Sequence, residues 1–444
     1  MIPQPIPLAQ PHRGWQVFLV ETLTGQVLSR LPVAGGSWVD AINDAGEVKA
    51  KVPTKWLLRQ PRWRWSPWSA SLLACFDGEP IALGPITAEP QGDRDFTDLQ
   101  AGDLWSLLEH RVVTDKNYGQ LSMTRRELYD RAHMMVPAMG TADDRFQAFE
   151  ELVNTGDYRG ERWQQWGIQE DAPVIDFLLR WREQERALAE SVLSIREGSL
   201  GTIARRLVEL AQDRPSGWLP VAFGSPEERG TNRERNYDGF NLGNNSVAKR
   251  IKEITEVING PDVSFRPRWV ERGSRVEWVM FHGTEGMPEI AQDRSYTVDL
   301  TAPKSKAIAP KVSSECTPYR RVYASGDGQD KGTLIRVMDE PIPDRYPLLE
   351  TVLADSQTSS PDLLESRGRG LLDQGRTVQL TVTVDDPLMP LHTWWAGDEM
   401  TVVWPGGWPQ LDDGTYRMRA LKRAGNFADG RRTSVEFQTE EMVA

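Results

Sequence analysis

The side chains able to do acid, base or metal chemistry are scattered. The five histidines are His12, His110, His133, His282 and His392, and no two of them stand at the spacing of a helical or finger-type zinc site. Carboxylate pairs occur at Asp143-Asp144, Asp385-Asp386 and Asp412-Asp413. With 64 acidic residues in the chain, such neighbours arise by chance. Glycoside hydrolysis needs two carboxyls roughly 5–10 Å apart across a cleft, which adjacency in sequence does not set, so these pairs read as solvated turns. Asp327, Asp330 and Glu340 lack the spacing of a calcium loop. No Gly-x-Ser-x-Gly elbow is present. Gly224 and Gly230 are not followed by Lys-Ser/Thr, and Gly368-Arg-Gly370 lacks the third glycine of a dinucleotide loop and lies inside a helical stretch. Cys75 and Cys316, the only cysteines, sit in apolar or β-like contexts and read as two buried thiols rather than a disulfide. The expectation is a protein without catalytic, cofactor or metal sites, and not an enzyme.

Tryptophan is the residue type in excess, with 17 copies. Four cluster at Trp56, Trp63, Trp65 and Trp68, and four more at Trp394, Trp395, Trp404 and Trp408. Indoles fill cores, anchor interfaces and stack on sugars. Trp56, Trp63, Trp65, Trp68, Trp394 and Trp395 are the candidate interface residues, and exposed pairs such as Trp394-Trp395 are the candidate sugar platform. A net charge of −12 argues against a chain that grips nucleic acid, which needs a basic footprint. It leaves open a wall past which DNA slides, since an acidic lumen repels phosphate.

The elements that must position these residues are mostly strands. Residues 1–14 carry four prolines and read as an extended arm. The start lacks a basic region followed by an apolar one, so no secretory signal is expected, and folding in a cytoplasm follows. No apolar run is long enough for a membrane span. Residues 1–110 read as a β-module with turns at Thr24-Gly25, Ala45-Gly46 and Asp77-Gly78. Residues 111–195 read as a helical and loop insertion, with helices near 143–153 and 172–193. Residues 196–300 read as an α/β middle domain. A helix carries Leu200, Ile203, Leu207 and Leu210 on one face. A second starts at Ser246, carries Val247, Ile251, Ile254 and Ile258, and stops at Gly260-Pro261. Between them, residues 214–245 read as a long loop. Residues 301–444 read as a second β-module with one inserted helix beginning at Ser360-Pro361, which Gly368 and Gly370 should weaken. Val378, Leu380, Val382 and Val384 alternate cleanly with polar residues. The two ends share a plan: Ser71–Phe76, Asp77-Gly78 and Glu79–Ile86 near one terminus, Glu399–Trp404, Asp412-Asp-Gly414 and Thr415–Leu421 near the other. The fold class is mainly β with an α+β middle: two related β-barrel-like modules flanking an α/β region.

Three stretches carry a resemblance. They are Trp38-Val-Asp-Ala-Ile-Asn-Asp-Ala-Gly-Glu-Val-Lys-Ala-Lys-Val-Pro53, then Trp65-Ser-Pro-Trp68 with Phe76-Asp-Gly-Glu-Pro-Ile-Ala-Leu-Gly-Pro-Ile86, and Ala396-Gly-Asp-Glu-Met-Thr-Val-Val403 with Asp413-Gly-Thr-Tyr-Arg-Met418. The layout resembles the tail-tip (baseplate) hub, or minor tail protein, family of long-tailed bacteriophages, in its variant from phages of actinobacterial hosts. Residues 111–195 match least. The resemblance implies a homotrimeric structural virion protein at the tail tip, folded in the host cytoplasm. Its ring would close the tail tube and leave a channel for DNA and the tape-measure protein. Implied partners are further copies of the chain, the distal tail protein, the tape-measure protein and other tip proteins or fibres, with viral DNA passing through but not specifically bound. The alternatives are a carbohydrate-binding tail component and a cell-wall hydrolase.

Overall fold

A computed structural model describes residues 13–114, 186–214, 217–231, 233–290, 296–301, 307–313, 319–328, 332–341, 347–355, 358, 360–374, 379–385, 389–408 and 411–443. The chain forms two compact units. One comprises Met1–Val112, Ile195–Arg235 and Ser246–Ala444, the other Val113–Ser194 and Asn236–Asn245. The expected arm at residues 1–12, the helix near 143–153 and Cys316 lie outside the described residues.

The first part of the chain consists of Trp15–Glu21 (β1), Val27–Leu31 (β2), Gly35–Ala41 (β3), Glu47–Pro53 (β4), Ala70–Phe76 (β5), Glu79–Pro85 (β6), Gln91–Gly92 (β7), Phe96–Ala101 (β8) and the helix Leu104–Glu109 (α1). Turn chemistry sets the hairpins. Asp77 and Gly78 both take positive φ between β5 and β6, and Gly25 does so between β1 and β2, as tight reversals between right-twisted strands require. The middle runs Val192–Gly198 (β9), Leu200–Gln212 (α2), Val221–Phe223 (β10), Arg233–Asp238 (β11), Val247–Thr255 (α3), Val263–Glu271 (β12) and Arg275–His282 (β13). The remainder comprises Tyr296–Asp299 (β14), Ala307–Ser313 (β15), Arg321–Ser325 (β16), Ile335–Asp339 (β17), Glu350–Ala354 (β18), Pro361–Gln374 (α4), Gln379–Val384 (β19), Glu399–Trp404 (β20), Gly414–Asn426 (β21) and Thr433–Val443 (β22).

These strands build a mainly β protein. The order β2-β1-β5-β6 makes one sheet, β10-β13-β12 a second, β17-β16-β18 a third, and β9 pairs with β11. The largest sheet has ten strands. Eight follow the order β15-β19-β22-β21-β3-β4-β8-β7, and β20, paired with β14, branches from β21. None of these sheets closes into a barrel among the described residues. β21 pairs antiparallel with β3, with Lys422 opposite Ala41 and Asn426 opposite Ser37, so N- and C-terminal strands share one sheet. One apolar core follows from that. It contains Val17, Leu19 and Leu72 of the first sheet, Trp38 and Val48 of β3 and β4, and Leu380, Met418 and Phe437 of the C-terminal strands.

The helices follow their sequence signals. Ser199 caps α2 by accepting from the Thr202 N–H, and Ser246 caps α3 by accepting from the Lys249 N–H, which relieves one unpaired donor in each first turn. Leu200, Ile203 and Leu207 of α2 are buried and Leu210 half-buried, while Arg205 pairs with Glu209 and Arg206 with Glu227 on the outer side.

Several expectations need correction. Residues 214–245 are not one long loop: β10 pairs parallel to β13, with Val221 opposite Trp278, and β11 follows. The helix expected to reach residue 193 is helical at 186–190 and gives way to β9 at Val192. α3 ends at Thr255, which leaves Ile258 exposed. Gly368 does not weaken α4, which runs on to Gln374. A Cβ at Gly368 would stand 1.7 Å from the Met338 Cε, so glycine there lets the helix lie close on β17.

Candidate functional site

The polar centre of the molecule is a junction in which all three parts of the chain meet. β21 carries its origin. Along that strand Tyr416, Met418 and Ala420 are buried in alternation, and a bulge between Ala420 and Lys422 then shifts the register. A bulge places two residues opposite one and reverses the inward phase. Arg423 therefore points inward, directly across from Asp40 of β3, and is fully buried.

The Arg423 Nε donates to Asp40 Oδ2 at 2.6 Å, and its Nη1 donates to the carbonyl of Leu391 at 2.6 Å and to that of Trp394. The Ala396 N–H donates to the same Asp40 oxygen at 3.2 Å. The Arg423 Nη2 has no hydrogen-bond acceptor. The guanidinium carbon lies 4.1 Å from the Trp395 ring centre and 5.3 Å from those of Trp38 and Trp394, so indole faces stand in for the missing acceptor.

Two further ion pairs flank it. Arg266 of β12 lies 3.7 Å from Asp398 and stacks on Phe281 at 4.9 Å and on Trp395 at 5.6 Å. The Trp395 indole thus contacts both guanidiniums. Asp398 accepts from the Trp395 N–H at 2.8 Å. Arg419 pairs with Asp262, whose other carboxylate oxygen accepts from Asn43 Nδ2 at 3.0 Å. The Asn43 Oδ1 accepts from the Val263 N–H at 2.7 Å. Burial pushes the Asp398 carboxyl up, opposed mainly by Arg266. Burial also pulls the Arg423 and Arg266 guanidiniums down, with Asp40 the main opposing partner for Arg423 and Asp398 for Arg266. Guanidiniums keep their proton throughout, so none of the three shuttles one. The junction holds its charges in place.

A half-buried carboxyl lies beside it. Asp103 caps α1 by accepting from the Trp105 N–H at 2.9 Å, and it also accepts from the Gly46 N–H at 2.8 Å. Burial, with Asp40 nearby, pushes it up to about 7 against those two donors. His282 is buried, its Nδ1 lies 2.9 Å from the Gly283 carbonyl, and burial lowers its pKa. Cys75 is buried as a free thiol whose pKa burial raises well above the ordinary value. No group of three or more His, Cys, Asp or Glu stands where it could hold a metal among the described residues.

The candidate tryptophans divide into two groups. Trp394 and Trp395 are buried, at 1% and 7% exposure, inside the arginine junction. Trp56 and Trp65 are half-buried against the main core. Trp63 and Trp68 are exposed, at 52% and 38%. The pair expected to offer a sugar platform is therefore enclosed in the chain's own interior. Asp40, Asp262, Arg266, Asp398, Arg419 and Arg423 had no signal in sequence. Alternation along β21 points Lys422 inward, and the bulge that substitutes Arg423 depends on partner strands far away in the chain.

No protein-family model and no curated protein matches the sequence. Among solved structures, the chain is similar to a tail protein from Neisseria meningitidis at 12% identity, over 96% of this chain and 97% of that one, with a TM-score of 0.48. It is similar to a prophage tail protein from Shewanella oneidensis at 9% identity, over 95% and 98%, with a TM-score of 0.45. A prophage tail protein from Listeria monocytogenes is similar at 8% identity, over 97% and 95%, again with a TM-score of 0.45.

Proposed function

We propose that this chain is a structural component of a phage-type tail: a tip hub that assembles as a homotrimer, joins the distal tail protein to tip proteins or fibres, and leaves a passage for DNA and the tape-measure protein without binding DNA specifically. Its place of action is the virion tail tip. The observation that carries this reading is the junction. Arg423, Asp40, Arg266 and Asp398 tie strands from both ends and the middle of the chain together within the larger of the two units, as a part that transmits load needs. The buried ion pairs join segments far apart in the chain. The resemblance of the stretches 38–53, 65–86 and 396–418 to tail-tip hubs supports the same reading.

The self-contact is assigned to the sheet β17-β16-β18. Its inner face packs Val322, Ala324 and Met338 against Leu364 and Leu372 of α4. On its outer face Val337, Tyr323 and Val352 form one cross-strand row, with Ile335 beside it. Ile335, Val337 and Val352 are 56%, 49% and 67% exposed. The neighbouring charged row is already paired within the sheet, Arg321 with both Asp339 and Glu350. What remains to be covered is apolar, and a second copy of the chain is the occupant that trimerisation supplies.

Light scattering on the purified chain tests the reading. Three chains of 50.2 kDa give a particle of about 150 kDa with ring-like images. Val337→Asp with Val352→Asp should return the mass to that of one chain with the circular dichroism unchanged. A wild-type chain that stays monomeric at high concentration rejects the trimer.

A further inference from the structure

The stretch Lys51–Trp68 holds five cations (Lys51, Lys55, Arg59, Arg62 and Arg64), four tryptophans and no carboxylate, in a chain whose net charge is −12. Local hydrogen bonds hold it in one conformation. Ser66 Oγ donates to the Arg62 carbonyl at 2.9 Å, Ser69 Oγ bonds to the carbonyls of Trp63 and Ser66 at 3.0 Å, and the Trp68 N–H donates to the Ile86 carbonyl at 2.7 Å. Trp68 is held at φ +65°, a region that non-glycine residues seldom occupy. Leu57 is buried, and Trp56 and Trp65 pack on the main core. The inner side of the segment is thus anchored.

Its outer side presents apolar tips among cations. Leu58 is 71% exposed, Trp63 52% and Trp68 38%. The Arg64 guanidinium lies 5.4 Å from the Trp63 ring centre and that of Arg62 5.7 Å from Trp65. Arg64 Nε and Trp65 Nε1 are buried without a hydrogen-bond acceptor. One exposed carboxylate, Glu89, reaches Arg62 at 3.2 Å.

We propose that the loop 55–68 is a peripheral anchor for anionic phospholipid surfaces. Indole rings settle at headgroup depth, where an apolar body meets a wet edge. Leu58 reaches the acyl boundary, while Arg59, Arg62 and Lys55 meet lipid phosphates. Single-stranded nucleic acid is the other polyanion that such a patch suggests, since bases stack on indoles. Two observations favour lipid. Leu58, the most exposed of the three apolar tips, has no part in base stacking or phosphate contact. A nucleic-acid strand would also run beyond the loop over a chain of strong negative charge, whereas a bilayer meets only the tip. No helix among the described residues is long and apolar enough to cross a bilayer, and the anchor is a contact with the surface.

Co-sedimentation of the full chain with vesicles tests this, using phosphatidylcholine alone and phosphatidylcholine with roughly 30 mol % phosphatidylglycerol. The expected result is about tenfold stronger binding to the anionic vesicles, weakening as salt screens the cations, with a blue shift of tryptophan emission. Leu58→Ser with Trp63→Ser should abolish that preference while the mass by light scattering stays at its wild-type value, which separates this contact from self-assembly. Equal binding to both vesicle types overturns the proposal, as does binding that survives the double substitution. Displacement of the chain from anionic vesicles by a single-stranded oligonucleotide, with tighter binding to that oligonucleotide, overturns it in favour of nucleic acid.

Discussion

A guanidinium carries five N–H donors in one plane and two flat faces, and Arg423 uses both: donors toward Asp40, Leu391 and Trp394, a face toward Trp395. Removing it leaves the Asp40 carboxylate enclosed without its cation. Arg423→Met should lower stability by about 3–5 kcal/mol in urea titrations. Arg423→Met with Asp40→Leu should cost less than the single change, because no unpaired charge remains. A loss in the double variant as large as in the single would show that shape, not charge, governs the site. Asp103 gives a pH signature. Its folded pKa of about 7 lies above the unfolded value of about 4. The folded state therefore holds that proton more tightly, and the stability it confers is whole below about pH 4 and lost as pH rises toward 7. The urea midpoint of the wild type should fall relative to Asp103→Asn across that window. A difference that stays flat with pH would refute the assignment. Of this chemistry little was legible in the sequence. The tryptophans stood out by number. Arg423 did not, because β21 changes phase at a bulge fixed by a partner strand.

At the scale of elements, local signals read well. Thr24-Gly25 and Asp77-Gly78 made hairpins, Ser246 became a helix cap, and the alternation ending in Leu380, Val382 and Val384 became a strand with those three residues buried. Pairing did not read. A short strand such as β10 has no pattern of its own and exists because β13 offers it a parallel edge. Gly368 looked like a weak point in α4 and is a contact point, since what decides it is the distance to Met338. Gly84 of β6 makes a stricter case. A Cβ there would stand 1.3 Å from the Gly102 carbonyl oxygen, and backbone cannot swing aside as a side chain does. Gly84→Ala should lower stability by about 3 kcal/mol through forced separation of β6 from the start of α1. A thermal midpoint matching the wild type would mean that the segment at Gly102 yields freely.

At the scale of the molecule, the mainly β character of both ends was legible, but the pairing between them was not. Strands from the two ends share one sheet, through β3 and β21, while β1, β2, β5 and β6 form another. The proposed self-contact on β17-β16-β18 leaves Ile335, Val337 and Val352 exposed in the single chain. The same joining of ends sets a timetable for biosynthesis. Asp40 and Arg423 are 383 positions apart, so at a translation rate of roughly 5–20 residues per second the edge of β3 waits on the order of tens of seconds for its partner strand to be made. Through that interval β3 is an open edge, available to the nascent strands of neighbouring chains on the same messenger. A nonsense mutation late in the gene, removing only the last few dozen codons, would leave that edge unpaired permanently. Its product would be exposed to proteolysis and aggregation.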